Sequence, residues 1–177
     1  QAEKVLGRLV ALGGTGDDWL ALGIAQLQQE KWDKAEGTLK GAQNLLAKNP
    51  FPTLHLAKVY QGRKESAKER EAIEAAIKLE PNAVVAWAYL YSQVRTAENE
   101  EAAIKAVATL ADAEPNKRTA APYIALQGLY ANEESGRDKA VEFAKKAVER
   151  NDNDPLALIC LSALYGQAGD LDSVIAL

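Results

Sequence analysis

The chain has 177 residues, 47% of them hydrophobic, and its 21 basic and 25 acidic side chains leave a net charge of -4. A chain of this length buries a sizeable core, but its charges are scattered, so no long-range positive field exists to hold a phosphate backbone and nucleic acid is not an expected partner. The single cysteine, Cys160, excludes an intramolecular disulfide, and no apolar run approaches the roughly 20 residues of a spanning helix, so direct membrane insertion is not expected either.

Taken in chain order, residues 1–12 read as the second helix of a unit whose first helix is missing. The run Gly13-Gly14-Thr15-Gly16 follows a helix and carries no Lys-Ser or Lys-Thr after it, so it lacks the context of a phosphate loop. It reads instead as a glycine C-cap, with Thr15 or Asp17 capping the next helix. Trp19, Leu22, Gly23 and Gln26 then mark one helix, and Ala35, Leu39 and Ala42 mark a second that overruns by three residues before Pro50. The overrun predicts one extra helical turn.

The next two segments repeat each other. Thr53, Leu56, Ala57, Tyr60, Glu69, Ile73, Ala76 and Pro81 fall at steps of 3, 1, 3, 9, 4, 3 and 5, and Trp87, Leu90, Tyr91, Val94, Ala103, Val107, Leu110 and Pro115 follow the same steps. Pro81 and Pro115 set a period of 34, and each is followed by asparagine. A fourth unit has Tyr123, Leu126 and Tyr130, then Ala140, Ala144 and Ala147, with extra residues at 133–136 and before Pro155. A fifth has Leu158, Leu161, Ser162 and Tyr165, a Gly169-Asp170 turn, and the start of a further helix at residues 174–177. Steps of 3 and 4 place the apolar residues on one face of each helix, and short connections make neighbours antiparallel. Proline cannot donate the N–H that continues a helix, so every repeat proline is expected outside one.

This pattern resembles the tetratricopeptide repeat family: a period of 34, an aromatic, leucine and small residue in the first helix, alanines in the second, and a closing proline. Gln26, Gln127 and Leu110 depart from the family's preferences. The resemblance implies an all-α, right-handed α-solenoid of stacked antiparallel helix-turn-helix repeats. Residues 1–177 are read as one solenoid and a piece of a longer protein, with a partial repeat at 1–15, repeats at about 16–49, 50–83, 84–117 and 118–154, and a partial repeat at 155–177.

Converging catalytic groups are hard to find. The one histidine, His55, and the one cysteine, Cys160, fall on helices of distant repeats. Asp152-Asn153-Asp154 suggests an acidic calcium loop, but Ala163 stands where the twelfth-position glutamate is needed, so a capping loop is the better reading. The charged runs Glu98 to Glu101 and Arg63 to Arg70 read as solvated helix faces. No catalytic residue, cofactor or metal ligand is assigned, and a non-enzymatic chain is expected.

In the family the first helices line a concave groove. Carried over, the groove positions are Leu20, Ala21, Ile24 and Leu27; Leu54, His55, Lys58 and Gln61; Ala88, Tyr89, Ser92 and Arg95; then Ile124, Ala125, Gly128, Ile159, Cys160 and Ala163. Leu20, Ile24, His55, Val85 and Tyr89 occupy the places where chaperone-binding members need their carboxylate-gripping Lys, Asn and Arg, so that specialisation is absent. The run Ala21, His55, Tyr89, Ala125 and Cys160 likewise lacks the asparagine ladder of members attached to a sugar-transferring enzyme. The candidate peptide-binding residues are therefore His55, Lys58, Tyr89, Ser92 and Arg95. The expected function is a scaffold that binds a partner protein, peptide or helix in its groove. The competing reading is a structural or self-associating module of a larger enzyme or secretion machine, with homo-oligomers formed through open terminal helices. The compartment, cytoplasmic or periplasmic, is not written in these features.

Overall fold

A computed structural model describes residues 1–131, 133 and 135–176. The described residues are helical with no strand, in two compact units, Gln1–Glu80 and Pro81–Leu177. The first unit holds α1 (Ala2–Ala11), α2 (Gly16–Leu27), α3 (Trp32–Leu45), α4 (Pro50–Gly62) and α5 (Ser66–Leu79). The second holds α6 (Val84–Ala97), α7 (Glu100–Asp112), a 3-10 turn (Asn116–Arg118), α8 (Ala121–Tyr130), α9 (Arg137–Arg150), α10 (Pro155–Ala168) and α11 (Leu171–Ile175). Within each unit consecutive helices pack on each other, α2 on α3 and α4 on α5, α6 on α7 and α8 on α9. Of the extra residues expected near the fourth unit, 132 and 134 lie outside the described residues, as does the final residue, 177.

The repeat alignment correctly places most of the core. Leu22, Leu56, Tyr60, Trp87 and Leu90 are buried, whereas Trp19 is half-buried. Ala35, Ala42, Ala76, Ala103, Ala140 and Ala147 are fully enclosed, so the small residues at these second-helix positions sit where neighbouring backbones come closest. Gly23 acts in the same way in α2: a Cβ there would stand 2.6 Å from the buried Leu39 side chain. The local signals near residue 15 also hold. Gly13 takes φ +92 after α1, and Thr15 accepts from the Asp18 amide while Asp18 accepts from that of Thr15, a reciprocal cap on α2.

Two expectations are corrected. The helix before Pro50 is not a turn longer: α3 and α5 each have 14 residues, and the connections at 46–49 and 80–83 are equally long. Trp19 to Thr53 is already one full period, so Ala47 occupies the place of Pro81 and Pro50 belongs to the following repeat. Nor do all repeat prolines lie outside helices. Pro81 and Pro115 do, but Pro50 and Pro155 are the first residues of α4 and α10. A first-turn N–H has no intrahelical acceptor, so proline there sacrifices no bond and its fixed φ suits the helix. Asn49 and Asp154 complete these starts, accepting from the amides of Phe51 and of Leu156 and Ala157 respectively.

Glycine context separates two opposite substitutions. Gly37 is exposed in mid-α3, with nothing within 4 Å of a Cβ placed there. Gly37→Ala is expected to stabilise the chain by about 0.5–1 kcal/mol, because alanine loses less backbone freedom on folding. Gly23→Ala is expected to destabilise it, because Leu39 must move in a filled core. Urea unfolding of both variants should shift their midpoints in opposite directions.

Candidate functional site

The five candidate residues lie on two first helices, one in each unit. In the first unit α4 carries His55 and Lys58, and in the second α6 carries Tyr89, Ser92 and Arg95. His55 and Tyr89 are one full period apart, as are Lys58 and Ser92, so they occupy equivalent places in successive repeats. None is buried: His55, Lys58 and Tyr89 are half-buried, and Ser92 and Arg95 are exposed.

α4 brings its pair together, whereas α6 brings together only part of its set. His55 and Lys58 are one turn apart, as are Tyr89 and Ser92, and each pair shares a face. At 100° per residue Arg95 falls about 120° around α6 from Tyr89. Its guanidinium lies 5.9 Å from the centre of the Tyr91 ring and 3.8 Å from a Glu133 carboxylate oxygen. Other residues carried over as groove positions are core instead: Leu54 is 2%, Ile124 6% and Ala125 4% exposed. Helices packed on both flanks of α8 enclose Ile124 and Ala125, a crowding that helix periodicity alone does not report.

His55 is the candidate whose environment departs most from water. Its Nδ1 atom is buried with no hydrogen-bond partner, and burial, reinforced by the Lys58 charge, pushes the imidazole down to about 4. The fold thus favours the neutral ring. Below the ordinary histidine range near 6.5 the unfolded chain takes up a proton that the folded chain refuses until about pH 4. Stability contributed by His55 is complete above pH 6.5 and is lost as pH falls across that window. His55→Leu should flatten that part of a stability-against-pH curve, as followed by urea midpoints between pH 7 and pH 4.

Polar ties that sequence spacing did not reveal hold the helices behind these faces. On α3, Glu36 accepts from Arg63 at 2.5 Å and from the Tyr60 hydroxyl at 3.2 Å. Its pairing with Lys40 and Arg63 lowers its carboxyl to about 2. In the second unit the Tyr130 hydroxyl donates to Glu100 at 2.6 Å, so its contact of 2.9 Å with Tyr91 has Tyr91 as the donor. Burial and that carboxylate raise the Tyr130 phenol, and Lys139 closes the chain at Glu100. Thus Glu100, expected on a plain solvated face, is a tie between helices, and Arg63 likewise joins Asp33, Glu36 and Glu65.

Cys160 is half-buried on α10, and burial first, then Asp154, raises its thiol, which keeps it protonated and poorly nucleophilic. Among the described residues no His, Cys, Asp and Glu group is arranged to hold a metal ion, and no helix is long and apolar enough to cross a membrane.

The fold is that of tetratricopeptide repeat proteins. The chain superposes on yeast Tom70 with a TM-score of 0.59 at 18% identity, covering 98% of this chain but only 37% of that one. It also superposes on a tetratricopeptide repeat protein from Parabacteroides merdae at 0.52 and 16% identity, covering 99% of this chain and 69% of that one. YrrB, a tetratricopeptide repeat protein with an unusual peptide-binding site, matches at 0.50 and 12% identity over 96% of this chain and 85% of its own. No family model matches the sequence, and no curated protein does.

Proposed function

We propose that the chain is a non-catalytic scaffold that holds a partner peptide or helix, contacting it through His55 and Lys58 on α4 and Tyr89, Ser92 and Arg95 on α6. The observation that carries this reading is the accessibility of His55 and Tyr89, and of Lys58 and Ser92, at equivalent positions of successive repeats, with Arg95 exposed further along α6. An aromatic ring, two cations and an imidazole stand there on helices whose opposite faces are spent on the core. Such mixed positions suit an apolar anchor flanked by an acidic group. The fold shared with YrrB, whose own binding site takes peptide, supports a peptide partner for this chain.

The reading is tested with a synthetic array of short peptides that combine leucine or phenylalanine anchors with aspartate, alongside versions with the aspartate replaced by asparagine. Amide shifts induced by the tightest peptide should fall on α4 and α6. Shifts confined to α3, α5 and α7 would place recognition on the second helices and overturn the assignment. Raised salt should weaken binding only modestly, because exposed charges contribute little each.

A further inference from the structure

A partner's acidic group would meet Arg95 in the last turn of α6, and Arg95 is not an open cation. Its guanidinium lies 3.8 Å from a Glu133 carboxylate oxygen, and both side chains are half exposed, so a partner can reach them. Glu100, a second carboxylate within the field of Arg95, is already engaged: it accepts from the Tyr130 hydroxyl at 2.6 Å and from Lys139. The fold therefore gives Arg95 to Glu133.

Glu133 is the first of the extra residues that break the repeat period, in the connection between α8 and α9. That connection has six residues, against four between α2 and α3, three between α4 and α5 and two between α6 and α7. Its backbone is pinned. The Glu133 N–H donates to the Tyr130 carbonyl at 3.0 Å, and the Gly136 N–H donates to the Glu133 carbonyl at 2.9 Å. Only glycine fits at 136, because a Cβ there would collide with the Tyr130 carbonyl. Two buried tyrosines carry the pair. Arg95 lies four residues after Tyr91, Glu133 lies three after Tyr130, and the two phenol oxygens meet at 2.9 Å. Acid and cation thus hang from one contact between α6 and α8, which brings them together whether or not a partner is present.

We infer that Glu133 is an internal competitor for the partner's acid, an inference that rests on the peptide-binding reading: Glu133 occupies the Arg95 guanidinium in the free chain, and a carboxylate of the partner must displace it. Exposed pairs are weak, so the contact tunes recognition and does not block it. Binding then exchanges one carboxylate for another at Arg95. An acidic partner gains little over a neutral one in the parent chain, and selection falls on the apolar anchor.

The probe is the tightest leucine- or phenylalanine-anchored aspartate peptide of the array, together with its asparagine version. Both are titrated into the parent, Glu133→Gln, Arg95→Gln and the double variant. Glutamine keeps the size of Glu133 and the backbone bonds of its turn, so helicity should be unchanged. Glu133→Gln should tighten the aspartate peptide about two- to fivefold, the range open to an exposed pair, and leave the asparagine version unaffected. In the Arg95→Gln background the same substitution should have no effect on either peptide. Unchanged affinity for an aspartate peptide bound on α4 and α6, equal tightening of both peptides, or tightening that survives in Arg95→Gln would each overturn the inference and leave the peptide-binding reading standing. Peptides whose amide shifts avoid α4 and α6, or an array with no binding peptide, would overturn both.

Discussion

Trp87→Ala is expected to lower unfolding free energy by about 3–5 kcal/mol, the largest single-residue loss among the repeat positions. Trp87 is 0% exposed within α6, and its indole N–H donates to the Pro81 carbonyl at 2.8 Å. That bond ties the first turn of α6 to the connection before it, where the capping position, Ala83, has no side chain to offer. The substitution therefore opens a cavity and leaves a carbonyl without this donor. Trp87→Phe should cost less, because it keeps most of the buried ring and forfeits the hydrogen bond. Leu90, one turn on and also 0% exposed, should cost about 2–5 kcal/mol as alanine. Chemical denaturation measures all three, and a Leu90→Ala chain as stable as the parent would place the α6 core on the other face.

Arg150→Ala is expected to cost about 2–3 kcal/mol although the residue lies at the end of a helix. Its guanidinium donates to the carbonyls of Ala111 and Lys117 at 3.0 Å each, pairs with Asp112, and stands 5.3 Å from the centre of the Tyr123 ring. One side chain thus closes the end of α7, the 3-10 turn and the first turn of α8, and removing it leaves two carbonyls without this donor. Arg150→Lys should recover little, because an ammonium cannot present a planar fork to several acceptors while lying on an aromatic face. The check is the denaturation midpoint of both variants. A lysine variant equal to the parent would show that charge alone, through Asp112, does the work.

Leu56, Ala76, Leu90 and Ala103 were legible in the sequence because a constant period multiplies each weak helical signal by the number of repeats. The caps at Thr15 and Asp154 were legible for a different reason: they act within a single turn, where spacing and geometry are almost the same thing. What spacing missed depends on neighbours distant in the chain. Arg63 on the approach to α5 finds Glu36 on α3, and Arg150 at the end of α9 finds Asp112 at the end of α7, separations that no repeat step marks. Pro50 looks like a closing proline in the sequence because proline suits a helix start as well as a helix end, and only the period from Trp19 to Thr53 separates the two. The candidate site was legible as positions on α4 and α6. Its detail was not: the crowding that buries Leu54, Ile124 and Ala125 and isolates the Nδ1 atom of His55 comes from the packing of several helices at once.

Whether first-helix residues on α4 and α6 hold a partner segment is tested most directly by the affinity of an isolated natural partner for the parent chain and for a Tyr89→Ala, Arg95→Ala double variant of matched helicity. On the proposed reading the ring is the larger anchor and the guanidinium the charge partner for an acidic group, so affinity is expected to fall at least roughly tenfold, the loss usual for anchor residues. Equal affinities would mean that recognition uses other surfaces of the two units and that these side chains are ordinary solvated surface.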